Sequence, residues 1–523
     1  MCGQRPQSPG RARLPCLHKY TGRLEEIRHG CCRIPALLWP KIGRAIFVCS
    51  LTVPPYNLYT YNLNHYHVTK RCKQLLARSN YTTYSTGAGR QVLLDKIYLL
   101  GGVPLQGTVA VGGSKNDTLA ILAGTLLVPG KTVLHNVPRL SDVTTLIEIF
   151  SHFGAKCGFR PDGALEIDAT RLTTSEAPNH LVQKMRASFN VLGALLVRFG
   201  HARVAMPGGC DIGARPVNYH IRGLEELGCK LHLEHGIYEG KVKRFVGANI
   251  SLEFPSAGAT QHLMIAASHA KGLTVIENCA AEPEIVSLAA FLNACGAKIS
   301  GAGTPVILIE GVEALHPIEY SVIPDRLQAG TYALAAAITG GDVTITHCVP
   351  DHCRLILAKL VDAGVEVSTR GDTMHIRRVG KILPTDIKTM PHPGFPTDMQ
   401  QPFVSLLSLG DGCSVVTETV YENRFRYTTE LEKMGANILV EGRTAIVRGV
   451  ERLTGAAVSC TDLRAGAAVV VAGLAAEGET VIDNLHHLDR GYEDIVPKLR
   501  SLGARISRSG AAGATGGLHV CSA

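Results

Sequence analysis

Apolar positions along the chain form two kinds of run. Ala- and Leu-rich runs such as TLAILAGTLLV, from Thr118, have the spacing of a buried helix, and short alternating runs such as TVLHNV, from Thr132, have that of a strand. Each helical run ends at a Gly-containing turn, where glycine suits a left-handed helix end. A second helix follows the strand, and KCGFRPDGALEID predicts a hairpin with a DG turn. The pattern predicts a β-α-β-α-β-β unit.

This unit recurs six times between about Leu93 and about Ser507. A phrase that ends a helix and starts a strand carries glycines 68 to 74 residues apart: Gly154, Gly228, Gly296, Gly364, Gly435 and Gly503. A second phrase, as in PGKTVLHNVP and EGETVIDNL, recurs once in each unit in phase with the first. Thin solenoids have repeats of ~20–50 residues, which are shorter than this unit. We therefore expect an α/β (α+β) fold whose units cluster into larger domains, with ligands in a cleft between them.

Length and composition are those of an ordinary soluble protein. The 523 residues suggest two to four domains, and no apolar run reaches the ~18 residues of a membrane span. Sixteen cysteines include no CxxC pair, and several lie in apolar runs, where a free thiol behaves as a small apolar side chain. We expect a reducing, cytoplasmic location, with neither a disulfide framework nor a zinc site.

The positive charge belongs to one end of the chain. The formal net charge is +9, but residues 1–92 hold 14 Lys or Arg and two acids, which leaves 39 basic and 42 acidic residues elsewhere. The remaining surface gives no argument for a nucleic-acid partner. Residues 1–92 fit three interpretations: sequence translated upstream of the true start, a targeting segment, or an extra module. Residues 509–523 are expected to form a flexible Gly/Ala tail.

Candidate chemistry occurs where units depart from their common pattern. VGGSKND places Lys115 and Asn116 at a helix start, where exposed amides beside a lysine make an anion site, although a solvated lysine is the more common finding. Arg186, in KMRAS, begins an apolar helix and either extends to solvent or binds a phosphate. In PGGCDIGARP, Arg215 could bind a phosphate and hold Cys210 as thiolate, yet a structural cysteine is an equal alternative.

The second half of the chain adds FPTDMQ, VYENRF, TDLRAG and LDRGYE. Asp398 and Asp462 fall at helix starts, where Asp is often an N-cap, and this reading is the stronger one for Asp462. Arg464 and Arg490 add positive charge, although Asp–Arg pairs are also common structural bridges. Several cations, one thiol and a lone carboxylate suit two anionic substrates and one proton transfer. We find no metal-ligand cluster, no P-loop, no GxGxxG after a strand and no GxSxG, so no cofactor is expected.

The motifs as a set point to a family. LQGTVAVGGSKN, KMRAS, PGGCDIGARPVNYH, AEPEIV, FPTDMQ, TETVYENRF, TDLRA and LDRGYE occur in this order over about four-fifths of the chain. In this combination the chain resembles the UDP-N-acetylglucosamine 1-carboxyvinyltransferases, the MurA-type enolpyruvyl transferases, which are sisters of EPSP synthase. The resemblance implies two inside-out α/β barrel domains of three repeats each. Their expected bounds are residues 115–324, with the catalytic Cys loop, and residues 93–114 plus 325–508.

The resemblance also implies a reaction and a set of roles. Phosphoenolpyruvate would give its enolpyruvyl group to the 3-hydroxyl of UDP-N-acetylglucosamine by addition and elimination, the first committed step of peptidoglycan synthesis. Cys210 would be the general acid and the target of fosfomycin, and Asp398 the base near the attacking hydroxyl. The phosphoenolpyruvate positions would be Lys115, Asn116, Arg215, Arg464 and Arg490, of which Lys115 and Arg490 also count as catalytic. The nucleotide-sugar positions would be Arg186, Arg215, Pro216, Val217, Asn218, Tyr219, Ser256, Ala257, Asp398 and Val420.

Several residues depart from the family pattern. Asn218 and Tyr219 replace the usual Asp and Leu, and the family's VSVGAT loop differs here at Pro255 and Ala257. Ser114 and Asn190 are also unusual. These departures bear on affinity for the nucleotide sugar. Two alternatives stay open, namely a shikimate-3-phosphate enolpyruvyl transferase and an inactive paralogue that binds UDP-sugars. The expected partners are the two small-molecule substrates, with no nucleic acid and no membrane, and a monomer is expected with an oligomer left open.

Overall fold

The computed structural model describes residues 95–208, 213 and 216–509. Outside these residues lie residues 1–92, residues 510–523 of the predicted tail, Cys210 and Arg215. Ser509, the first residue of the predicted tail, instead ends the last strand and pairs with Lys96. Buried apolar side chains form two clusters. Core A contains residues between Leu119 and Val322, and core B contains residues 97–111 and 327–506.

Strands and helices alternate along the described chain. The strands are β1 (Lys96–Leu100), β2 (Gln106–Ala110), β3 (Lys131–His135), β4 (Lys156–Phe159), β5 (Leu165–Asp168), β6 (His201–Ala205), β7 (Lys230–Glu234), β8 (Ile237–Lys241), β9 (Asn249–Ser251), β10 (Leu273–Glu277), β11 (Lys298–Ser300), β12 (Val306–Glu310), β13 (Glu319–Ser321), β14 (Asp342–Thr346), β15 (Glu366–Arg370), β16 (Thr373–Arg377), β17 (Ile387–Lys388), β18 (Cys413–Thr417), β19 (Asn437–Glu441), β20 (Thr444–Arg448), β21 (Ala457–Ser459), β22 (Glu479–Asp483) and β23 (Arg505–Ser509). The helices are α1 (Lys115–Thr125), α2 (Ser141–His152), α3 (Asn179–Val182), α4 (Val191–Phe199), α5 (Asn218–Glu226), α6 (Ala257–Ala267), α7 (Pro283–Ala294), α8 (Arg326–Thr339), α9 (Arg354–Asp362), α10 (Thr397–Leu407), α11 (Thr428–Lys433), α12 (Leu463–Ala475) and α13 (Ile495–Ser501).

These elements form six small sheets within the described residues. Their strand orders are β13-β3-β5-β4, β6-β8-β7 and β11-β12-β10-β9 beside core A, and β15-β16-β14-β2, β17-β18-β20-β19 and β21-β22-β1-β23 beside core B. Each four-stranded sheet has one parallel edge pair and two antiparallel pairs. The predicted mixed α/β class is confirmed.

The six glycines of the recurring helix-to-strand phrase explain how the second helix of each unit ends. All six have φ between 83° and 106°, in the region that glycine adopts without a Cβ penalty. At each of these glycines the backbone therefore turns sharply from helix to strand, as the sequence predicted. A left-handed backbone also recurs directly after β3, β10, β14 and β22, where Asn136, Asn278, His347 and Asn484 have φ between 51° and 57°.

One predicted helix is wrong in detail. Arg186 was expected to begin an apolar helix, but Arg186–Asn190 form a 3₁₀ turn before α4 begins at Val191. The buried hydroxyl of Ser188 lies 2.7 Å from the carbonyl oxygen of Val182 and 2.6 Å from that of Met185. A hydroxyl that bonds to preceding carbonyl groups competes with regular helix and tightens the turn.

The chain passes between the two cores twice, and the two passages bond to each other. Gly113 and Pro324 form an antiparallel bridge. The amide of Ser114 donates to the carbonyl of Ile323 at 2.8 Å, and that of Asp325 donates to Gly112 at 2.9 Å. This paired crossing lies directly before α1 and α8. Among the described residues, no helix combines the length and apolar character of a membrane span.

Candidate active site

A cavity of about 440 Å³ is lined by residues from both sides of the crossing, a volume in the usual range for small-ligand sites. It contains most of the residues that the sequence singled out. Those that line it are Lys115, Asn116, Arg186, Pro216, Val217, Tyr219, Ser256, Ala257, Asp398, Val420, Arg464 and Arg490. Asn218 is exposed at the first turn of α5 and is not among the lining residues. Cys210 and Arg215 lie outside the described residues.

Two of the cavity cations share one carboxylate. The Lys115 Nζ lies 3.2 Å from Asp142 Oδ2, and the Arg490 Nε lies 2.9 Å from Asp142 Oδ1. Lys115 begins α1, Asp142 lies in the first turn of α2, and Arg490 ends a 3₁₀ turn after β22. Asp142 therefore joins a cation from the core A side to one from the core B side.

The charge state of Lys115 depends on this arrangement. Burial lowers the pKa of Lys115 from its ordinary value, and the Arg464 and Arg490 charges lower it further. Asp142 opposes these effects and raises the pKa. The Asp142 carboxylate thus favours the protonated lysine inside a cation-rich cavity.

Asp398 binds two arginines. Its Oδ1 accepts from Arg424 Nη2 at 2.6 Å, and its Oδ2 accepts from Arg464 Nε at 3.0 Å. Burial raises the pKa of Asp398, but the Arg464 and Arg424 charges outweigh burial and hold it well below its ordinary value. Arg464 also donates to the hydroxyl of Tyr492 at 3.2 Å. Asp398 is therefore ionised and firmly positioned.

The helix-start prediction for Lys115 is wrong in one respect. The amides at the start of α1 were expected to be exposed, but the Lys115 amide lies 3.4 Å from Asp325 Oδ2. The Asp117 amide donates to the hydroxyl of the N-cap Ser114 at 3.3 Å. The side chains of the crossing and the cap satisfy these donors, so positive charge in this part of the cavity comes from side chains.

Two further helix starts, those of α12 and α6, are capped by a side chain. Asp462 is the N-cap of α12 and accepts from the Arg464 and Ala465 amides at 2.8 and 3.1 Å, which confirms the capping interpretation. Ser256 caps α6 through the Ala259 amide at 3.3 Å. The cap fixes the first turn of α6, and with it Ala257, at the cavity wall.

Sequence reasoning missed several charged residues of the cavity. Asp142 gave no signal, because an Asp in the first turn of a helix is common. Arg424 lies within VYENRF, the motif from which only Val420 was predicted as a site residue. Arg326 and Glu284 form a buried pair at 3.0 Å and also line the cavity. Arg326 begins α8, and its burial and its pairing with Glu284 are visible only in the structure.

No group of three or more His, Cys, Asp or Glu side chains is arranged to hold a metal ion in the described part of the chain. The eight described cysteines are free thiols, and seven of them are not exposed. Burial raises the pKa of Cys353 to about 12 and that of Cys279 to about 11, so these thiols are unreactive.

Fold and cavity together define an α/β protein with a cation-rich small-ligand site between two cores. The sequence profile described as EPSP synthase (3-phosphoshikimate 1-carboxyvinyltransferase) matches residues 99–499. UDP-N-acetylglucosamine 1-carboxyvinyltransferase 3 of Caldanaerobacter subterraneus is 50% identical over 415 residues, 79% of this chain and 99% of that protein. UDP-N-acetylglucosamine 1-carboxyvinyltransferase 1 of Staphylococcus aureus strain N315 is 50% identical over 418 residues, 79% of this chain and 99% of that protein.

Solved structures agree. The enolpyruvyl transferase NikO from Streptomyces tendae superposes with a TM-score of 0.72 at 26% identity, over 80% of this chain and 100% of that one. EPSP synthase from Acinetobacter baumannii shares the fold, with a TM-score of 0.64 at 17% identity over 79% of this chain and 100% of that one. The chain belongs to the EPSP synthase family. The resemblance to its MurA-type members, inferred from the motifs, is confirmed by the relatives' names.

Proposed function

We propose that this protein transfers the enolpyruvyl group of phosphoenolpyruvate to the 3-hydroxyl of UDP-N-acetylglucosamine and releases phosphate. The reaction is the first committed step of peptidoglycan synthesis, on which cell-wall biogenesis, cell shape and division depend. The observation that carries the proposal is the cavity, where Lys115, Arg464 and Arg490 surround the carboxylates of Asp142 and Asp398. Relatives at 50% identity that are named for this activity favour it over the shikimate-3-phosphate alternative.

The cations suit the charges of the reaction. Phosphoenolpyruvate and a nucleoside diphosphate sugar are both multiply negative, and bringing them together requires positive charge in a site with little water. Lys115, Asn116, Arg464 and Arg490 bind the phosphate and carboxylate of phosphoenolpyruvate, together with Arg215. Arg186, Pro216, Val217, Tyr219, Ser256, Ala257 and Val420 contact the nucleotide sugar, together with Arg215. Asn218 does not line the cavity and is left out of this set.

The reaction proceeds in two steps, an addition in which C3 of phosphoenolpyruvate gains a proton and an elimination in which C3 loses one. Cys210 donates a proton to C3 of phosphoenolpyruvate while the sugar 3-oxygen forms a bond to C2 and gives up its own proton. The tetrahedral ketal then loses phosphate from C2 and a proton from C3, which forms the enol ether. Lys115 and Arg490 stabilise the charge that develops on the departing phosphate.

Asp398 has a role set by its ion pairs. A carboxylate whose pKa lies well below its ordinary value is a weak base, because Arg424 and Arg464 stabilise its ionised form. In this role it accepts a hydrogen bond from the sugar hydroxyl and fixes its direction of attack. It takes up the hydroxyl proton as the sugar oxygen forms its bond to C2.

The finer architecture is part of the proposal. Three sheets lie beside each core, and the β-α-β-α-β-β order recurs along the chain, so we assign three repeats to each of two inside-out barrels. Residues 115–324 form one domain, and residues 93–114 plus 325–508 form the other, in agreement with the extents of core A and core B. The protein acts in the cytoplasm as a monomer.

A phosphate-release assay tests the function. The full-length protein with phosphoenolpyruvate and UDP-N-acetylglucosamine is expected to release phosphate, and shikimate 3-phosphate as acceptor is expected to give none. Release with shikimate 3-phosphate alone would favour the sister activity. Binding of the nucleotide sugar without release from either acceptor would favour the inactive paralogue.

Substitution of Cys210 tests the acid. Cys210→Ala is expected to abolish turnover, and Cys210→Asp to keep it, because a carboxylic acid still donates a proton. The Asp variant is expected to resist fosfomycin, which alkylates the thiol. Cys413→Ala, at an exposed described cysteine, is the matched control. Full activity of Cys210→Ala would contradict the assigned role.

A further inference from the structure

Two histidines form a contact that the proposed reaction does not use. His262 lies in α6 and is fully buried, and His220 lies in α5 at the cavity wall. Their Nδ1 atoms are 2.9 Å apart. The other ring nitrogen of His262, Nε2, lies 2.7 Å from the backbone nitrogen of Gly193 in α4.

The backbone contact fixes the proton on His262. The Gly193 N–H can only donate, so Nε2 of His262 is the acceptor and carries no proton. Burial lowers the pKa of His262 to about 3, which leaves the ring neutral at physiological pH. A neutral imidazole has one N–H, so the proton of His262 is on Nδ1.

This proton in turn fixes the tautomer of His220. Two Nδ1 atoms at 2.9 Å can bond only if one donates and the other accepts. Since His262 donates, His220 accepts at Nδ1 and carries its own proton on Nε2. A chain of bonds therefore runs from the α4 backbone through His262 to His220.

The surroundings hold both rings in place. The ring of Phe189 makes T-shaped contacts with both histidines, and its centroid lies 5.6 Å from that of His220 and 5.7 Å from that of His262. A Cβ on Gly193 would lie 2.8 Å from Nε2 of His262, so glycine is what allows the ring to reach the amide. A Cβ on Gly258, in the first turn of α6, would lie 3.3 Å from Nε2 of His220. Nε2 of His220 therefore lies beside the first turn of α6, where Ser256, Ala257 and Gly258 line the cavity.

We propose that His262 is a positioning residue that sets the tautomer of His220, so that His220 Nε2–H donates to an acceptor oxygen of the bound nucleotide. The proposal rests on the proposed function for the identity of the nucleotide sugar. A neutral donor here adds a directional contact to a site whose other contacts are charged. An unprotonated Nε2 would instead face the acceptor oxygen with a lone pair and repel it.

Two variants of His262 separate positioning from packing. Gln reaches the Nε2 position and accepts from Gly193, but it places no donor opposite His220. Asn reaches the Nδ1 position and donates to His220, but it leaves the Gly193 amide without its acceptor. We expect His262→Gln to raise KM for UDP-N-acetylglucosamine about fivefold, the value of one neutral hydrogen bond, with kcat and KM for phosphoenolpyruvate unchanged. His262→Asn is expected to restore KM although it is the less stable variant.

His220→Asn removes the cavity donor itself. It is expected to raise the same KM about fivefold, and adding His262→Gln is expected to raise it no further, because both changes remove one contact. Competition by uridine, UMP and UDP identifies the acceptor. Weakened binding of uridine places the acceptor on the base or the ribose, and weakening confined to UMP and UDP places it on a phosphate.

Nitrogen NMR of the histidine-labelled, unliganded full chain reads the tautomer directly. His220 is expected to be protonated on Nε2 in the wild type and in His262→Asn, and to lose this single tautomer in His262→Gln. A wild-type His220 protonated on Nδ1, or equal KM values for His262→Gln and the wild type, would overturn the proposal. A wild type that binds no substrate but shows the Nε2 tautomer would instead refute the proposed function and leave the histidine relay intact.

Discussion

At the scale of single residues, the cavity is organised by two carboxylates that each hold two cations. Asp142 holds Lys115 and Arg490, and Asp398 holds Arg424 and Arg464. Buried cations without counter-ions would repel each other strongly, and their charges would be costly to keep from water. The carboxylates thus make a cation-rich site stable before a negatively charged substrate enters it.

Asp142→Asn is predicted to shift the pH profile of the reaction. Without the carboxylate, burial and the arginines lower the pKa of Lys115 further, so the lysine loses its proton at lower pH. If protonated Lys115 binds phosphoenolpyruvate, the alkaline limb of kcat/KM for phosphoenolpyruvate should move down by about one pH unit. A limb at the wild-type pH would contradict this role.

The control for this variant lies on the same helix. Glu148→Gln removes an exposed carboxylate from α2 and is expected to leave the limb in place. A general effect of net charge would move both profiles alike. A local effect of Asp142 moves only its own.

At the scale of elements, the repeated turn after the strand shows the same backbone in different units. Asn136, Asn278 and Asn484 adopt left-handed φ values of 57°, 51° and 56°. His347, at the matching position of the fourth unit, adopts 53°. Asn tolerates this region better than most residues, because its short polar side chain bonds locally. His347 is therefore the strained member of the set.

His347→Asn is predicted to stabilise the protein. The side chain is exposed, so little packing is lost, and the relief of backbone strain should add about 0.5–1 kcal/mol to the free energy of unfolding. A higher midpoint of thermal unfolding measures the gain. The reverse change at the matching position, Asn484→His, is expected to lower the midpoint. Equal midpoints for both variants and the wild type would show that the turn is not strained.

The elements were the part of the structure most open to prediction. Helix and strand periods, the DG hairpin and the six glycines depend on local chemistry that each segment carries. The 3₁₀ turn at Arg186–Asn190 was missed because the Ser188 hydroxyl bonds to residues before it, outside the helical period. The capped start of α1 was missed because one of its caps, Asp325, is 210 residues away.

At the scale of the whole molecule, the paired crossing connects the two cores. Asp117 belongs to it, since its Oδ2 accepts from the Ile323 amide at 3.1 Å and from the Ser287 hydroxyl at 3.0 Å. Its other oxygen has no hydrogen-bond partner among the described residues. Burial raises the pKa of Asp117 from 3.8 to about 7.

Asp117→Asn is predicted to change how stability depends on pH. The folded pKa lies above the unfolded one, so folding takes up a proton and this group's contribution falls as pH rises from about 4 to about 7. Asn cannot ionise and lacks this loss. The unfolding midpoint of the variant relative to the wild type should therefore be higher at pH 8 than at pH 5. A difference that is the same at both values would show that Asp117 does not titrate in this range.

The sequence by itself determined the α/β class, the repeated unit, the family and most of the cavity residues. Those features follow from local periodicity and from family motifs that occur in a characteristic order along the chain. Only the tertiary structure decided the pairings: Asp142 with Arg490 across 348 positions, Asp398 with Arg464 across 66, and His220 with His262 across 42. The physical reason is that a charge or proton position depends on burial and on its neighbours in space. Those neighbours come from different units, and the Asp142–Arg490 pair also joins the core A side to the core B side.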